Sequence, residues 1–405
     1  MPQKRSVRVN PGRLAAARAL LGVERGGHAD QLLEQLAPDG RDRGLSWHLT
    51  LGVLRRQGSI DHIIAPFSKR AIEKLDPPVR AALRIGAFEL LYGRTRRHAA
   101  VHQAVDLVRA LRAGRAAKFV NAVLRKVSGV SAPTDPFLDL PPWLQMRFAD
   151  WPDWVARLGD PPPVCGVWRD SEPNNRDIEA RPALAGGRSP DGAFQLAPAS
   201  GPVTEHPGFM SGEWWVMDPA SVVVADLLHE AVPAGAEVLD ACAAPGGKTL
   251  RLATRGHSVQ AVDLEPHRLS LVEEGSCRVG IADRITTREH DWLTGPLPCG
   301  TQFAGVLVDA PCTALGIVRR HPEIRWRRLV SDPPAMAIRQ REILKNAAVH
   351  VAEGGVLVYS VCSPLSEEGA GVVESLDGFR TRHAWSSAPP VGDEDAFQAF
   401  VLERV

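Results

Sequence analysis

From Glu213 onward, short apolar runs alternate with stretches of helical period, and few folds accommodate that order. The runs are 237–242 (EVLDAC), 258–264 (SVQAVDL), 284–291 (RITTREHD), 303–310 (FAGVLVDA) and 354–362 (GGVLVYSVC), several of them rich in valine. Runs of this length bounded by turn residues read as strands buried on both faces. Helices between them demand crossover connections, hence parallel pairing. The expected fold of this part is α/β, a doubly wound and mostly parallel sheet.

The N-terminal part follows another rule. Residues 11–127 read as all helix. In PPVRAALRIGAFELLY the apolar positions Val79, Ala82, Leu83, Ala87, Leu90 and Leu91 share one helical face, and Val101, Ala104, Val105, Val108 and Leu111 do so in VHQAVDLVRAL. Asp76 before two prolines marks a helix start. Residues 1–130 carry 24 Lys and Arg against 10 Asp and Glu, whereas the rest carries 24 against 37, an asymmetry that the net charge of +1 conceals. A basic helical bundle joined to an acidic α/β part suggests a polyanion-binding module beside another activity. The plain alternative is a solvated face of arginines.

Between them, residues 131–212 are rich in Pro, Gly, Asp and Ser, with scattered tryptophans. PPWLQMRF and WPDWVARL suit short helices, and 170–212 shows so little periodicity that loops or a poorly formed subdomain are expected. Three parts follow: 1–130, a linker and degenerate small subdomain at 131–212, and 213–405. At 405 residues and 44% hydrophobic content the chain is long and apolar enough for several cores, which excludes wholesale disorder. No apolar run nears the length of a membrane span, and the start MPQKRSVRVNPGR lacks a secretory signal core. The six cysteines (Cys165, Cys242, Cys277, Cys299, Cys312 and Cys362) form no CxxC pair, so neither a zinc site nor a disulfide scaffold is expected, and a reducing cytoplasm fits.

The first strand of the sheet runs into DACAAPGGKT (240–249), where Gly246 and Gly247 permit a tight turn with exposed backbone, and the next strand ends in Asp263. A glycine turn with an acid about 20 residues later suits an adenosine-containing cofactor, although the turn is neither GxGxxG nor a P-loop. The plain alternative is a strand–helix connector with a capping Asp. Two further strands end in Asp309-Ala310-Pro311-Cys312 and Val361-Cys362-Ser363. Carboxyl ends of parallel strands share one edge, so Asp309, Cys312 and Cys362 should gather beside the glycine turn. Cys165, Cys242, Cys277 and Cys299 read as buried or incidental.

These segments resemble a known family. CAAPGGKT, AVDLEPHRL, DAPCTALGIVRRHPEIRW and GGVLVYSVCSPLSEE, in this order, are similar to the Sun/Fmu (RsmB-like) ribosomal RNA cytosine-C5 methyltransferases. LGVLRRQGSIDHII, LRIGAFELLY and HAAVHQAVDLVRALRAGRAAKFVNAVLRKV resemble the NusB-like RNA-binding domain that precedes the methylase there. The resemblance implies a Rossmann-like domain that uses S-adenosyl-L-methionine to methylate carbon 5 of a cytosine in 16S ribosomal RNA. It implies Cys362 as nucleophile, Cys312 as the cysteine that assists release, and Asp309 as a contact to the cytosine. Cys242, Ala243, Ala244, Pro245, Gly246, Gly247, Lys248, Asp263, Arg268, Asp291 and Asp309 would hold the cofactor. The expected partner is small-subunit ribosomal RNA. A monomer is expected, with no metal and no membrane. The sequence departs from the family at Met217, Thr313 and Val361, over 160–212, where a usual strand is missing, and in the loosely matching chain end.

Chemistry accounts for two thiols. Carbon 5 of cytosine is a poor nucleophile until a thiolate adds to carbon 6 and turns the ring into an enamine. A carboxyl group near ring nitrogen 3 would support the charge that develops. Arg319, Arg320, Arg325, Arg327 and Arg328 around Trp326, directly after the DAPC motif, suit phosphate contact and base stacking. Arg94, Arg96 and Arg97 offer a second patch. The competing readings are an RNA-binding ribosome-assembly factor with a weakened methylase domain and a small-molecule methylase.

Overall fold

The computed structural model describes residues 9–170, 180–197, 202–298 and 300–405. The chain forms two compact units, one of Met1–Pro161 with Val318–Arg328 and the other of Pro162–Ile317 with Leu329–Val405. This division differs from the three-part expectation. Residues 131–161 join the helical unit, and a short segment from far along the chain returns to it.

The helical unit is built from Pro11–Val23, Ala29–Leu36, Arg41–Arg55, Gln57–Ser68, Pro77–Leu91, Arg97–Ala110 and Ala117–Val127, with the expected short helices at Pro142–Arg147 and Pro152–Arg157. Its core draws on the faces that the periodicity marks, with Leu83, Leu107, Val108, Val120 and Leu124 almost wholly excluded from solvent. The helix at Pro77 begins after Asp76, whose side chain makes no capping hydrogen bond. Not every arginine faces outward. Arg13 pairs with buried Glu89 (2.5 Å), and Arg84 pairs with Asp61 (2.7 Å) and Glu24 (3.1 Å).

The Arg319–Arg328 segment corrects an expectation. Arg325 is fully buried and donates to the carbonyls of Val318 (2.9 Å), Leu158 (3.2 Å) and Asp139 (3.4 Å). Trp326 Nε1 donates to the Leu54 carbonyl (2.8 Å). Buried Arg325 is committed to the fold of the helical unit and is not available to pair with RNA, and half-buried Trp326 has its one donor engaged there. The reason is ordinary: a guanidinium carries five donors and can close several orphan carbonyls at once.

In the second unit the strands are β1 (Cys165–Trp168), β2 (Ala180–Pro182), β3 (Ala193–Leu196), β4 (Trp214–Val216), β5 (Glu237–Asp240), β6 (Ser258–Asp263), β7 (Ile285–Glu289), β8 (Phe303–Asp309), β9 (Val351–Val361), β10 (Phe379–Ser386) and β11 (Gln398–Arg404). The large sheet has the order β10-β11-β9-β8-β5-β6-β7. β9, β8, β5, β6 and β7 pair in parallel, and β11 and β10 add two antiparallel strands at one side. The loosely matching chain end is thus a full strand lying between two others. Helices Gly247–Thr254 and Pro266–Val279 make the β5–β6 and β6–β7 crossovers, as a parallel sheet requires.

The stretch 170–212, read as loops or a poorly formed subdomain, contributes two short strands, β2 and β3, and its residues 171–179 and 198–201 lie outside the described residues. β1 to β4 form an antiparallel sheet of order β2-β3-β1-β4. Phe194, Leu196 and Trp214 form its small core, with Trp168 stacked on Phe194 at 4.6 Å. Among the described residues no helix is long and apolar enough to cross a membrane.

Candidate active site

The site is assembled at the carboxyl ends of β5, β6, β8 and β9. After β5 the chain turns through 241–246 into the helix Gly247–Thr254. Gly246 sits at φ 112°, a region that side chains avoid, and a Cβ there would lie 3.2 Å from the Val272 backbone. Asp263, at the end of β6, holds this turn: Oδ2 accepts from the Ala244 amide (3.0 Å) and Oδ1 from the Glu265 amide (3.3 Å). Arg268 donates to the Ala244 carbonyl (2.7 Å) and lies 3.6 Å from Asp263. Asp291, after β7, accepts from the Leu293 amide (2.9 Å).

Two adjoining cavities divide the expected cofactor residues. The larger, about 370 Å³, is lined by Ala244, Asp263, Arg268, Asp291, Cys312 and Cys362 among others. The smaller, about 170 Å³, is lined by Ala243, Pro245, Gly247, Lys248 and Met217. Cys242, Ala244 and Asp309 border both, and Gly246 borders neither. The larger cavity is lined by four carboxylates, Asp263, Glu265, Asp291 and Asp309, together with the apolar side chains of Leu264, Leu293 and Ile343. That set suits a nucleoside, whose hydroxyls donate and whose base is flat and weakly polar.

The two cysteines meet in the lining of the larger cavity, with Cys312 Sγ 3.2 Å from Cys362 Sγ. Hydrogen bonding to Cys362, then burial, pushes the Cys312 thiol well above its ordinary range. Asp309 is held from two sides, by Lys248 Nζ at 2.6 Å and by the Ser360 hydroxyl at 2.6 Å. Burial works to lower Lys248, but the charge and hydrogen bond of Asp309, with the charges of Asp240 and Cys362, together outweigh it and the ammonium is raised. Buried Thr313 and Ser363, each one residue past a cysteine, both bond to Glu368.

Strand-end logic brings Asp309, Cys312 and Cys362 together with the glycine turn, as expected. Of the other cysteines, Cys165 is buried in β1, Cys242 borders both cavities and Cys277 is exposed. Cys299 lies outside the described residues. The Lys248–Asp309 pair and Glu368 are not legible in the sequence. Lysine in a glycine turn reads as a cofactor ligand, and the second Glu of PLSEE reads as a solvated loop residue. The helical unit brings Asp30, His321 and Glu323 close enough to share an ion, their ligand atoms lying within 4.8 Å, although Glu323 already accepts from the Ala29 amide.

A parallel sheet with this glycine turn and carboxyl-edge acids defines a Rossmann-like α/β domain of methyltransferase type. Residues 230–395 match the family model for the 16S rRNA methyltransferase RsmB/F, and residues 10–129 match the NusB family. The chain is 37% identical over 396 residues to ribosomal RNA small subunit methyltransferase B of Thermus thermophilus, covering 95% of this chain and 91% of that one. It is 35% identical to the protein of the same name from Pseudomonas syringae pv. tomato, covering 91% and 86%. The crystal structure of PH0851 matches the fold with a TM-score of 0.78 at 21% identity, covering 98% of this chain and 99% of that one. The chain belongs to the 16S rRNA methyltransferase RsmB/F family and carries a NusB helical region at its N-terminal side.

Proposed function

We propose that this protein methylates carbon 5 of a cytosine in 16S ribosomal RNA, with Cys362 as covalent nucleophile. The observation that carries this reading is the pair of sulfurs 3.2 Å apart in the lining of the nucleoside-sized cavity, which Asp309 also lines. S-adenosylmethionine, when bound, supplies an electrophilic methyl group and leaves as S-adenosylhomocysteine. Asp263, Arg268 and Asp291 would hold its adenosine part, and the 242–248 turn would flank it.

The residues then divide the work. The base must leave its stack to reach the thiols. The Cys362 thiolate bonds to carbon 6, and the electron pair of the ring double bond makes carbon 5 the attacking atom. Asp309, held by Lys248 and Ser360, faces the charge that develops on the ring. After transfer a base takes the proton from carbon 5, the ring double bond re-forms and the Cys362 thiolate is expelled. Cys312 is assigned to this last step. The basic helical unit supplies phosphate contacts.

The test is a denaturing gel with substrate RNA and methyl donor. Cys362→Ala should give neither methyl transfer nor adduct, and Cys312→Ala should trap a protein–RNA adduct. An adduct with Cys362→Ala but not with Cys312→Ala would reverse the roles.

A further inference from the structure

Glu368 is fully buried, and among the described residues it forms no salt bridge. Its carboxylate instead collects four neutral donors. Oε1 accepts from the Thr313 amide (2.7 Å) and Gln340 Nε2 (3.2 Å), and Oε2 accepts from the hydroxyls of Thr313 (2.5 Å) and Ser363 (2.6 Å). Gln340 Nε2 also reaches the Pro311 carbonyl (2.9 Å), and Tyr359 donates to the Glu368 carbonyl (2.7 Å). One side chain thus ties the segment that carries Cys312 to the strand end that carries Cys362.

A buried charge without a counter-ion is costly, and a neutral amide could make much of this network at lower cost. The charge therefore calls for a role that hydrogen bonding does not fill. Its location supplies one. Glu368 interacts electrostatically with Cys312, and Lys248 on the opposite side interacts with Cys362. Tyr359, Asp309 and Cys242 are further titratable groups of this neighbourhood. The Glu368 charge works against a thiolate at Cys312, and the Lys248 ammonium and a Cys362 thiolate attract each other.

We propose that Glu368 is a positioning residue for both cysteines: it fixes the two segments at contact distance, and its charge directs the thiolate to Cys362. The proposal rests on the reading of Cys362 as nucleophile, and two substitutions separate its parts. Glu368→Gln keeps the length and removes the charge, because an amide nitrogen at the Oε2 position can donate to the two hydroxyls once they rotate to accept. Glu368→Asp keeps the charge and withdraws the carboxylate by one methylene.

The experiment is alkylation of the full-length protein by iodoacetamide, without RNA or methyl donor, with each cysteine quantified by peptide mapping. Wild type should label Cys362 in preference to Cys312. Glu368→Gln should reduce that preference at least tenfold while affinity for S-adenosylhomocysteine changes less than twofold. Glu368→Asp should keep the preference and lose at least tenfold in turnover. An unchanged labelling ratio in Glu368→Gln overturns the electrostatic role, and wild-type turnover in Glu368→Asp overturns the positioning role. If Glu368→Gln fails to fold, the aspartate variant still decides the second point, and wild-type labelling that favours Cys312 overturns the first. Failure of the nucleophile reading is recognised separately, as an adduct formed by Cys362→Ala.

Discussion

Asp240 ends β5 fully buried, with Oδ2 accepting from the Thr249 hydroxyl (2.6 Å) and Oδ1 left without a partner. Burial pushes its carboxyl up from 3.8 to about 7. The folded state therefore holds this proton more tightly than the unfolded chain. The stability linked to it is fully present below pH 3.8 and is lost progressively as pH rises toward 7. Asp240→Asn removes the titration. Its melting temperature should exceed that of wild type at pH 8, by roughly 2–4 °C for each kcal/mol recovered, and approach it at pH 5. A melting difference independent of pH would refute this. At this scale the sequence was informative where strand geometry decides placement, which is why Asp263, Asp309, Cys312 and Cys362 could be named. It was silent where a side chain turns inward after a loop. Nothing in PLSEE distinguishes half-buried Glu367 from fully buried Glu368, since the difference is set by a turn from Leu365 through Gly371.

Periodicity located the long helices, and the alternation of apolar runs with helical stretches located the five parallel strands, β7 included although none of its residues is fully buried. It failed over 165–216, where strands of three or four residues are too short to show a period. Their stability comes from aromatic packing across the sheet. Trp214 is excluded from solvent, meets Phe209 at 5.0 Å and Phe194 at 5.3 Å, and donates to the Pro207 carbonyl (2.9 Å). Trp214→Ala should cost about 3–5 kcal/mol, the range for deleting a large buried aromatic group. Differential scanning calorimetry would measure it, and a loss below 1 kcal/mol would mean that the small sheet does not depend on this cluster. The arginine-rich segment misled for a related reason. Composition describes which groups are present, whereas Arg325 and Trp326 are claimed by carbonyls that lie 186 and 272 positions away at Asp139 and Leu54.

Over the whole molecule the charge asymmetry remains the best guide to substrate contact. On the helical unit exposed Arg97, Arg109 and Arg125 border one groove with His98 and His102. Replacing the three arginines by Gln should reduce the slope of log affinity for ribosomal RNA against log salt by about 2–3, since each lost phosphate contact accounts for roughly 0.7–0.9. Filter binding across a salt series would read it, and an unchanged slope would exclude this groove as a phosphate contact. The return of Val318–Arg328 to the helical unit has a consequence for how the protein is made. Synthesis proceeds from the N-terminus, and domains ordinarily settle in that order. Here Leu54, Asp139 and Leu158 emerge long before the tryptophan and arginine that close their carbonyls. The first unit to leave the ribosome is among the last to be finished, and no single cut in the gene transfers it intact to another protein.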